Sequence, residues 1–110
     1  MKQILIIDDE APIRKMLRIL LEKNDYAVID AQDGSQGVKL FKEHKPDLII
    51  TDLIMPEKEG LETIIEIKKL NLDTKIIAIS GGGVVGPETY LDLAKNLGAQ
   101  YSFNWIFAIR

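Results

Sequence analysis

The chain has 110 residues, of which 14 are basic and 17 acidic, giving a formal net charge of −3. This length suits one domain, and the mild acidity gives no electrostatic reason to expect nucleic acid or an anionic membrane as a partner. The absence of cysteine excludes disulfides and thiolate metal sites and favours a reducing compartment. Because no apolar run is long enough for a signal peptide or a membrane span, we expect a soluble cytoplasmic protein.

Short apolar runs alternate along the chain with segments of helical periodicity. The runs at residues 4–7, 27–29, 48–51 and 76–79 are unbroken, as in strands buried on both faces of a parallel sheet. A final strand is expected near residues 101–105. Strands that alternate with helices in this way predict right-handed crossovers and a doubly wound α/β sheet.

The helical segments show apolar stripes and recognisable ends. The first helix is predicted to begin near Pro12, and the second at about Ser35 as an N-cap, with Pro46 stopping it. The third is expected after residue 60, and the fourth from Pro87 to Gly98. The side chains predicted to face the core are Ile13, Met16, Leu17, Leu20 and Leu21 in the first helix, Val38 and Phe41 in the second, Leu61, Ile64, Ile65 and Leu70 in the third, and Tyr90, Leu91, Ala94 and Leu97 in the fourth.

Polar residues stand where three of the apolar runs end. Asp8 and Asp9 follow the first run, Asp52 the third and Ser80 the fourth. Ligands of open parallel sheets bind beyond the carboxyl ends of the strands, so these side chains are expected to converge. Clustered carboxylates repel one another, and a divalent cation such as Mg²⁺ would neutralise them. An alternative is that Asp8 and Asp9 only end a strand and cap the next helix.

A carboxylate beside Mg²⁺ can act as a nucleophile toward a phosphoryl group and form an aspartyl-phosphate. The motifs that carry this chemistry resemble the response-regulator receiver domain of two-component signalling over about residues 1–104. They are IIDDE at 6–10, Thr51-Asp52, Met55-Pro56, Gly60, and ISG at 79–81. The resemblance implies a flavodoxin-like five-stranded sheet of order 2-1-3-4-5.

The resemblance also implies a role for each site residue. Asp52 would be the phosphoacceptor, receiving its phosphoryl group from the phosphohistidine of a sensor kinase. Asp9 would bind Mg²⁺ directly, Asp8 through a water molecule, and Ile54 through its backbone carbonyl. Ser80 would donate its hydroxyl to a phosphoryl oxygen. Such a domain is a signalling phosphoacceptor rather than an enzyme, although it assists its own phosphotransfer and dephosphorylation, and its output passes to a downstream protein or effector domain.

The C-terminal part departs from the family pattern. Where receivers have a Lys-Pro pair after the fifth strand, this chain has Trp105-Ile106, and it ends at Arg110 where the family continues into a fifth helix. We therefore expect one receiver domain over residues 1–110, atypical from about 104, with the fifth helix missing or truncated. Aromatic and aliphatic side chains alternate at period two in residues 101–110, which suggests a homodimer or swapped assembly through that segment. An altered gene end with a loosely packed tail is the alternative.

Two other functions fit parts of the sequence. A degenerate receiver would keep the fold, and the metal with it, but act as an interaction module that does not switch; Trp105 at the lysine position favours it. A small flavodoxin-like ligand binder would use the loop containing Gly81, Gly83 and Gly86. His44, the single histidine, is expected on the surface rather than in a phosphocarrier role.

Overall fold

A computed structural model describes residues 2–52, 60–80 and 101–104, with Ser80 and residues 101–104 described by their backbone. The described elements are β1 (Gln3–Ile7), α1 (Ala11–Lys23), β2 (Ala27–Ala31), α2 (Gly34–His44), β3 (Leu48–Asp52), α3 (Gly60–Leu70), β4 (Lys75–Ser80) and β5 (Tyr101–Asn104). All the strand pairs are parallel and the order is β2-β1-β3-β4-β5, which confirms the predicted α/β sheet. The fourth predicted helix, at 87–98, and the segment proposed to lack a fifth helix lie outside the described residues.

The register of the sheet brings the strand ends to one level. Ile7 of β1 pairs with Thr51 of β3, so the residues that follow, Asp8 and Asp52, leave the sheet side by side. Asp52 in turn pairs with Ile79 of β4. Because the strands are parallel, their carboxyl ends share one edge of the sheet, and this edge carries the acidic residues.

The core has two parts, one on each face of the sheet. Strand residues alternate between the faces, so neighbours in sequence enter different clusters. The cluster under α2 and α3 comprises Leu5, Ile7, Ala31, Val38, Phe41, Ile49, Ile64, Ile67, Ile76 and Ala78. The cluster under α1 comprises Ile4, Ile6, Val28, Ile50 and Ile79, with Leu17 and Leu21 packed against it.

Helix α1 packs by a narrower stripe than its sequence predicted. Leu17 and Leu21 contact the core, but Leu20 is 55% exposed, so its predicted core position is wrong. The guanidinium of Arg18 donates to the Asp30 carboxylate and to the Val28 carbonyl of β2. These bonds hold the Arg18 side of α1 against β2, and Leu20 lies on another part of the helix surface.

Helix α2 begins directly after its N-cap, Asp33, and the predicted N-cap Ser35 lies inside the helix. Asp33 has extended backbone, and its Oδ1 accepts a hydrogen bond of 2.8 Å from the Gln36 N–H. The Gln36 side chain accepts a bond from the Gln32 N–H in return, a reciprocal arrangement similar to a capping box. The predicted end is confirmed, since the helix stops at His44 and Pro46 follows shortly after; Val38 and Phe41 are buried as predicted.

Helix α3 buries one stripe formed by Gly60, Thr63, Ile64 and Ile67. Ile65 and Leu70 are 38% and 48% exposed, so their predicted burial is wrong, whereas Leu61 packs partly buried against the core. Ile67 belongs to the core and was missed. The 3.6-residue period explains the outcome, because Ile67 continues the row of Gly60 and Ile64 whereas Ile65 faces sideways. Among the described helices, none is both long and apolar enough to cross a membrane.

Candidate functional site

Asp8 lies at the centre of the acidic edge and is buried. Its backbone N–H donates to the Ala31 carbonyl at 3.1 Å, which ties the residue to the end of β2. Its side chain is only 1% exposed, and Oδ1 accepts a 2.8 Å bond from the Glu10 N–H. The other oxygen, Oδ2, is buried without a hydrogen-bond partner among the described residues. A buried carboxylate oxygen without a partner is costly, because it has lost its water and gained nothing in exchange.

The carboxylates of Asp9 and Asp52 complete the cluster. Asp52 is the last residue of β3 and is 6% exposed, whereas Asp9 is exposed in the turn between β1 and α1. Each of the three aspartates, Asp8 included, offers one oxygen, and these oxygens all lie within 4.8 Å of one another. The structure thus brings together three carboxylates that come from two strand ends, those of β1 and β3.

The electrostatics of the cluster show the cost of this arrangement. The pKa of Asp8 rises from its usual 3.8 to about 6, chiefly because burial removes water from the charged form. The bond from the Glu10 N–H lowers this pKa, the charges of Asp9 and Glu10 raise it, and Arg14 lowers it. Desolvation is the larger effect, so the metal-free cluster favours a protonated Asp8 at mildly acidic pH.

The donor set fits a hard divalent cation. All of the converging side-chain atoms are carboxylate oxygens, and the buried Oδ2 of Asp8 has no hydrogen-bond partner among the described residues. Mg²⁺ is typically bound in proteins by one or two carboxylates together with waters and phosphate oxygens. A cation there would both satisfy Oδ2 and offset the repulsion among the three charges.

Arg14 is a neighbour of the site that the sequence analysis missed. Its Nη1 donates a 2.7 Å hydrogen bond to the backbone carbonyl oxygen of Asp8. The side chain reaches Asp8 because long side chains on a helix lean toward its N-terminus, and α1 begins just after Asp9. This lean was the available signal, since it directs a long side chain near the start of α1 back toward the strand end.

Several predicted participants are only partly described. Ser80 is the last residue of β4, with its backbone beside Asn104 of β5; its hydroxyl is not among the described atoms. Ile54, Trp105 and the glycine loop at 81–86 lie outside the described residues. The roles predicted for Ser80 and Ile54 therefore stay predictions.

Two other ionisable groups lie away from the site, and each has a charged neighbour. His44 is 44% exposed and lies 3.9 Å from the Glu43 carboxylate, which agrees with the predicted surface position. Asp30, at the end of the edge strand β2, accepts a 3.0 Å ion pair from Arg18. Neither group belongs to the acidic cluster, so the candidate site consists of Asp8, Asp9 and Asp52 with Arg14 beside them.

Comparison with known proteins agrees with this fold. The response regulator receiver domain family matches residues 4–101, and the chain belongs to that family. The chain is 42% identical over 82 residues to the chemotaxis protein CheY of Bacillus subtilis, an alignment that covers 74% of this chain and 68% of that protein. The protein is therefore a CheY-like receiver domain, the phosphoacceptor module of two-component signalling.

Solved receiver structures superpose closely on the chain. The response regulator TrrA of Thermotoga maritima, crystallised in complex with Mg²⁺-BeF, is 34% identical with a TM-score of 0.84, and the match covers 94% of this chain and 86% of that one. A CheX-CheY-BeF3-Mg²⁺ complex from Borrelia burgdorferi gives 25% identity and a TM-score of 0.85, covering 94% and 77%. These likenesses extend over nearly the whole chain.

Proposed function

We propose that the chain is a Mg²⁺-dependent phosphoacceptor in which Asp52 takes a phosphoryl group from the phosphohistidine of a sensor histidine kinase. Asp8, Asp9 and Asp52 would hold the cation together with the backbone carbonyl of Ile54. The observation that carries this proposal is the meeting of three carboxylate oxygens within 4.8 Å of one another; within the described part of the chain, the Oδ2 of Asp8 in this cluster has no hydrogen-bond partner.

The transfer requires a nucleophile, a leaving group and charge neutralisation. An oxygen of the Asp52 carboxylate attacks the phosphorus, forming a P–O bond while the P–N bond to the imidazole breaks and its electron pair returns to nitrogen. Bound Mg²⁺ supplies neutralisation of the charge on the phosphoryl oxygens. Asp52 suits the nucleophile's role because the end of β3 fixes its position at the sheet edge. The Ser80 hydroxyl would donate a hydrogen bond to a phosphoryl oxygen.

The relatives support the cofactor and the type of partner. TrrA was crystallised with Mg²⁺-BeF, and the Borrelia CheY with BeF3, Mg²⁺ and the protein CheX. By analogy, this receiver would pass its signal to a downstream protein or to an effector domain, in the cytoplasm and without direct contact to nucleic acid or membrane. Family membership favours this function over a flavodoxin-like ligand binder.

The experiment that tests the proposal is phosphorylation by a small phosphodonor. Incubation with acetyl phosphate and Mg²⁺ should add the mass of one phosphoryl group, and chelation of Mg²⁺ should abolish the addition. Asp52→Asn should remove it, whereas Asp25→Asn should not, because Asp25 lies in the α1–β2 turn at the opposite end of the sheet. Unchanged phosphorylation of Asp52→Asn would contradict the assignment.

A degenerate, non-switching receiver is the second candidate, favoured by Trp105 at the position of the family's lysine. Such a protein would bind Mg²⁺ at the cluster without becoming phosphorylated. Calorimetric titration with Mg²⁺, run beside the phosphorylation assay, separates the two functions. Mg²⁺ binding with no phosphoryl addition would favour the degenerate receiver, and binding with addition would favour the switch.

Self-association through residues 101–110 is a further part of the proposal. Among the described strands, β5 pairs only with β4 and is an edge of the sheet, and an unprotected edge strand can pair with another chain. Light scattering after size exclusion should show a mass that rises toward a dimer with concentration. A monomer at every concentration would contradict this part.

A further inference from the structure

Arg14 lies beside the acidic cluster and uses few of its N–H donors within the described residues. One of its five N–H donors goes to the Asp8 carbonyl. Within residues 2–52 and 60–80 the remaining donors have no hydrogen-bond or ion-pair partner. Arg18, one turn later, differs in this respect, because its guanidinium is bound by Asp30, Glu22 and the Val28 carbonyl. The positive charge of Arg14 is thus fixed in place by a backbone contact rather than neutralised by a carboxylate.

A phosphorylated site would need such a charge. A phosphoryl group on Asp52, together with the carboxylates of Asp8 and Asp9, exceeds what one divalent cation neutralises. The position after β5 at which the family carries a lysine is Trp105 here, and an indole has no charge. The Arg14 guanidinium, which donates to the backbone carbonyl of Asp8, lies beside one member of this cluster.

Resting on the proposed phosphoacceptor function, we propose that Arg14 is a positioning residue that supplies the fixed positive charge stabilising the phosphoryl group at Asp52. It acts from the first turns of α1 through its bond to the Asp8 carbonyl, and it offsets the missing cation after β5.

The proposal predicts opposite effects on two ligands of opposite charge. A fixed cation repels Mg²⁺ and attracts the anionic phosphoryl group. Removing it should tighten binding of Mg²⁺ alone and weaken binding of an anionic phosphoryl mimic. A residue that merely held Asp8 in place would, when removed, weaken both ligands, because both depend on the geometry of the carboxylates.

The test uses three variants of the full chain and calorimetry. Arg14→Gln should bind Mg²⁺ about two- to fivefold more tightly and, in saturating Mg²⁺, beryllofluoride about two- to fivefold more weakly, as expected for a partly exposed charge. Arg14→Lys keeps the charge and should stay close to wild type for both ligands. Arg18→Gln is the matched control, since it removes an equal charge that Asp30 already pairs. Higher salt should shrink the difference between Arg14→Gln and wild type.

The possible outcomes distinguish failure of the Arg14 role from failure of the proposed phosphoacceptor function. Weakening of both ligands in Arg14→Gln, or no change in either, would overturn the role of Arg14 while leaving the phosphoacceptor intact. Similar effects in Arg18→Gln would overturn it too, since a distant paired charge would then suffice. If the wild-type protein itself bound neither Mg²⁺ nor beryllofluoride, the proposed function would fail and this inference with it. Far-ultraviolet circular dichroism establishes that each variant is folded.

Discussion

A β-carbon placed on Gly37 would lie 2.5 Å from Cδ1 of Ile7 and 2.9 Å from its Cγ1. Helix α2 therefore packs so closely on the Ile7 side chain of β1 that any β-carbon at position 37 would force Ile7 to shift. Ile7 is itself fully buried and directly precedes Asp8. The close packing of helix on strand thus lies one residue from the acidic cluster. A substitution that disturbs this packing should also change the geometry of the cluster.

Gly37→Ala should destabilise the protein. Alanine is the better helix former, but the forced displacement of Ile7 outweighs that gain, and a net loss of about 1–2 kcal/mol is expected for overpacking. Urea denaturation measures it. Ser35→Ala, at an exposed site on the same helix, is the control and should change stability little. Because valine lacks Cδ1, Ile7→Val should cost less in the Gly37→Ala background than in wild type, and equal costs in both would argue against the steric account.

Asp8→Asn should stabilise the metal-free protein. The substitution removes a buried charge whose pKa is raised to about 6, and at pH 7 the gain should be on the order of 2–3 kcal/mol. The same change should abolish the rise in thermal midpoint that Mg²⁺ gives the wild type, since a ligand of the native state stabilises only if it binds.

Asp25→Asn is the charge-matched control for this pair of effects. Asp25 is exposed with φ at 67°, a conformation that asparagine tolerates. It should leave both the metal-free stability and the response to Mg²⁺ close to wild type. If metal-free Asp8→Asn were less stable than wild type at pH 7, the buried carboxylate would not destabilise the fold in the absence of a cation.

The contribution of Asp8 to the stability of the metal-free protein should fall as pH rises. The folded-state pKa of Asp8 is above its usual value of 3.8, so the unfolded state loses its proton first. The stability associated with this group is fully present below about pH 4 and is lost as pH rises through about 6. Denaturation of wild type and Asp8→Asn in chelator measures the difference between their unfolding free energies, which should grow across this window. A difference that does not vary with pH would contradict the raised pKa of Asp8.

Asp33→Ala should weaken α2, because it removes the acceptor for the Gln36 N–H. The expected loss is about 1 kcal/mol of unfolding free energy, as for other N-cap aspartates. Ser35→Ala serves again as the comparison, and its effect should be much smaller if Asp33 is the cap. Equal losses for the two variants would restore Ser35 to the capping role predicted from the sequence.

The misplaced cap shows where local sequence stops being informative. Asp33 and Ser35 are both good N-cap residues, and the sequence offers no ground for choosing between them. The extended backbone of Asp33, at φ −155° and ψ 172°, lets its side chain reach the Gln36 N–H. That backbone depends on how the chain leaves β2, which is a property of the sheet.

The helix faces make a similar point. Apolar spacing predicted the burial of Val38, Phe41 and Ile64, and the structure confirms all three. The same spacing wrongly included Leu20 and Leu70, because periodicity states the direction of a stripe and not the width of the surface that meets it. That width depends on how each helix is seated on the sheet, as the bonds of Arg18 to β2 illustrate.

Some features of the acidic cluster could likewise be predicted from the sequence, and others could not. The sequence by itself determined that aspartates follow the first and third apolar runs, and parallel strands share one carboxyl edge, so the meeting of Asp8, Asp9 and Asp52 could be predicted. Only the tertiary structure decided that Asp8 is buried, that its Oδ2 has no hydrogen-bond partner in the part of the chain described, and that Arg14 bonds to its carbonyl. Burial and hydrogen bonding depend on what other segments place around an atom, and that is known only once helix and strands are packed together.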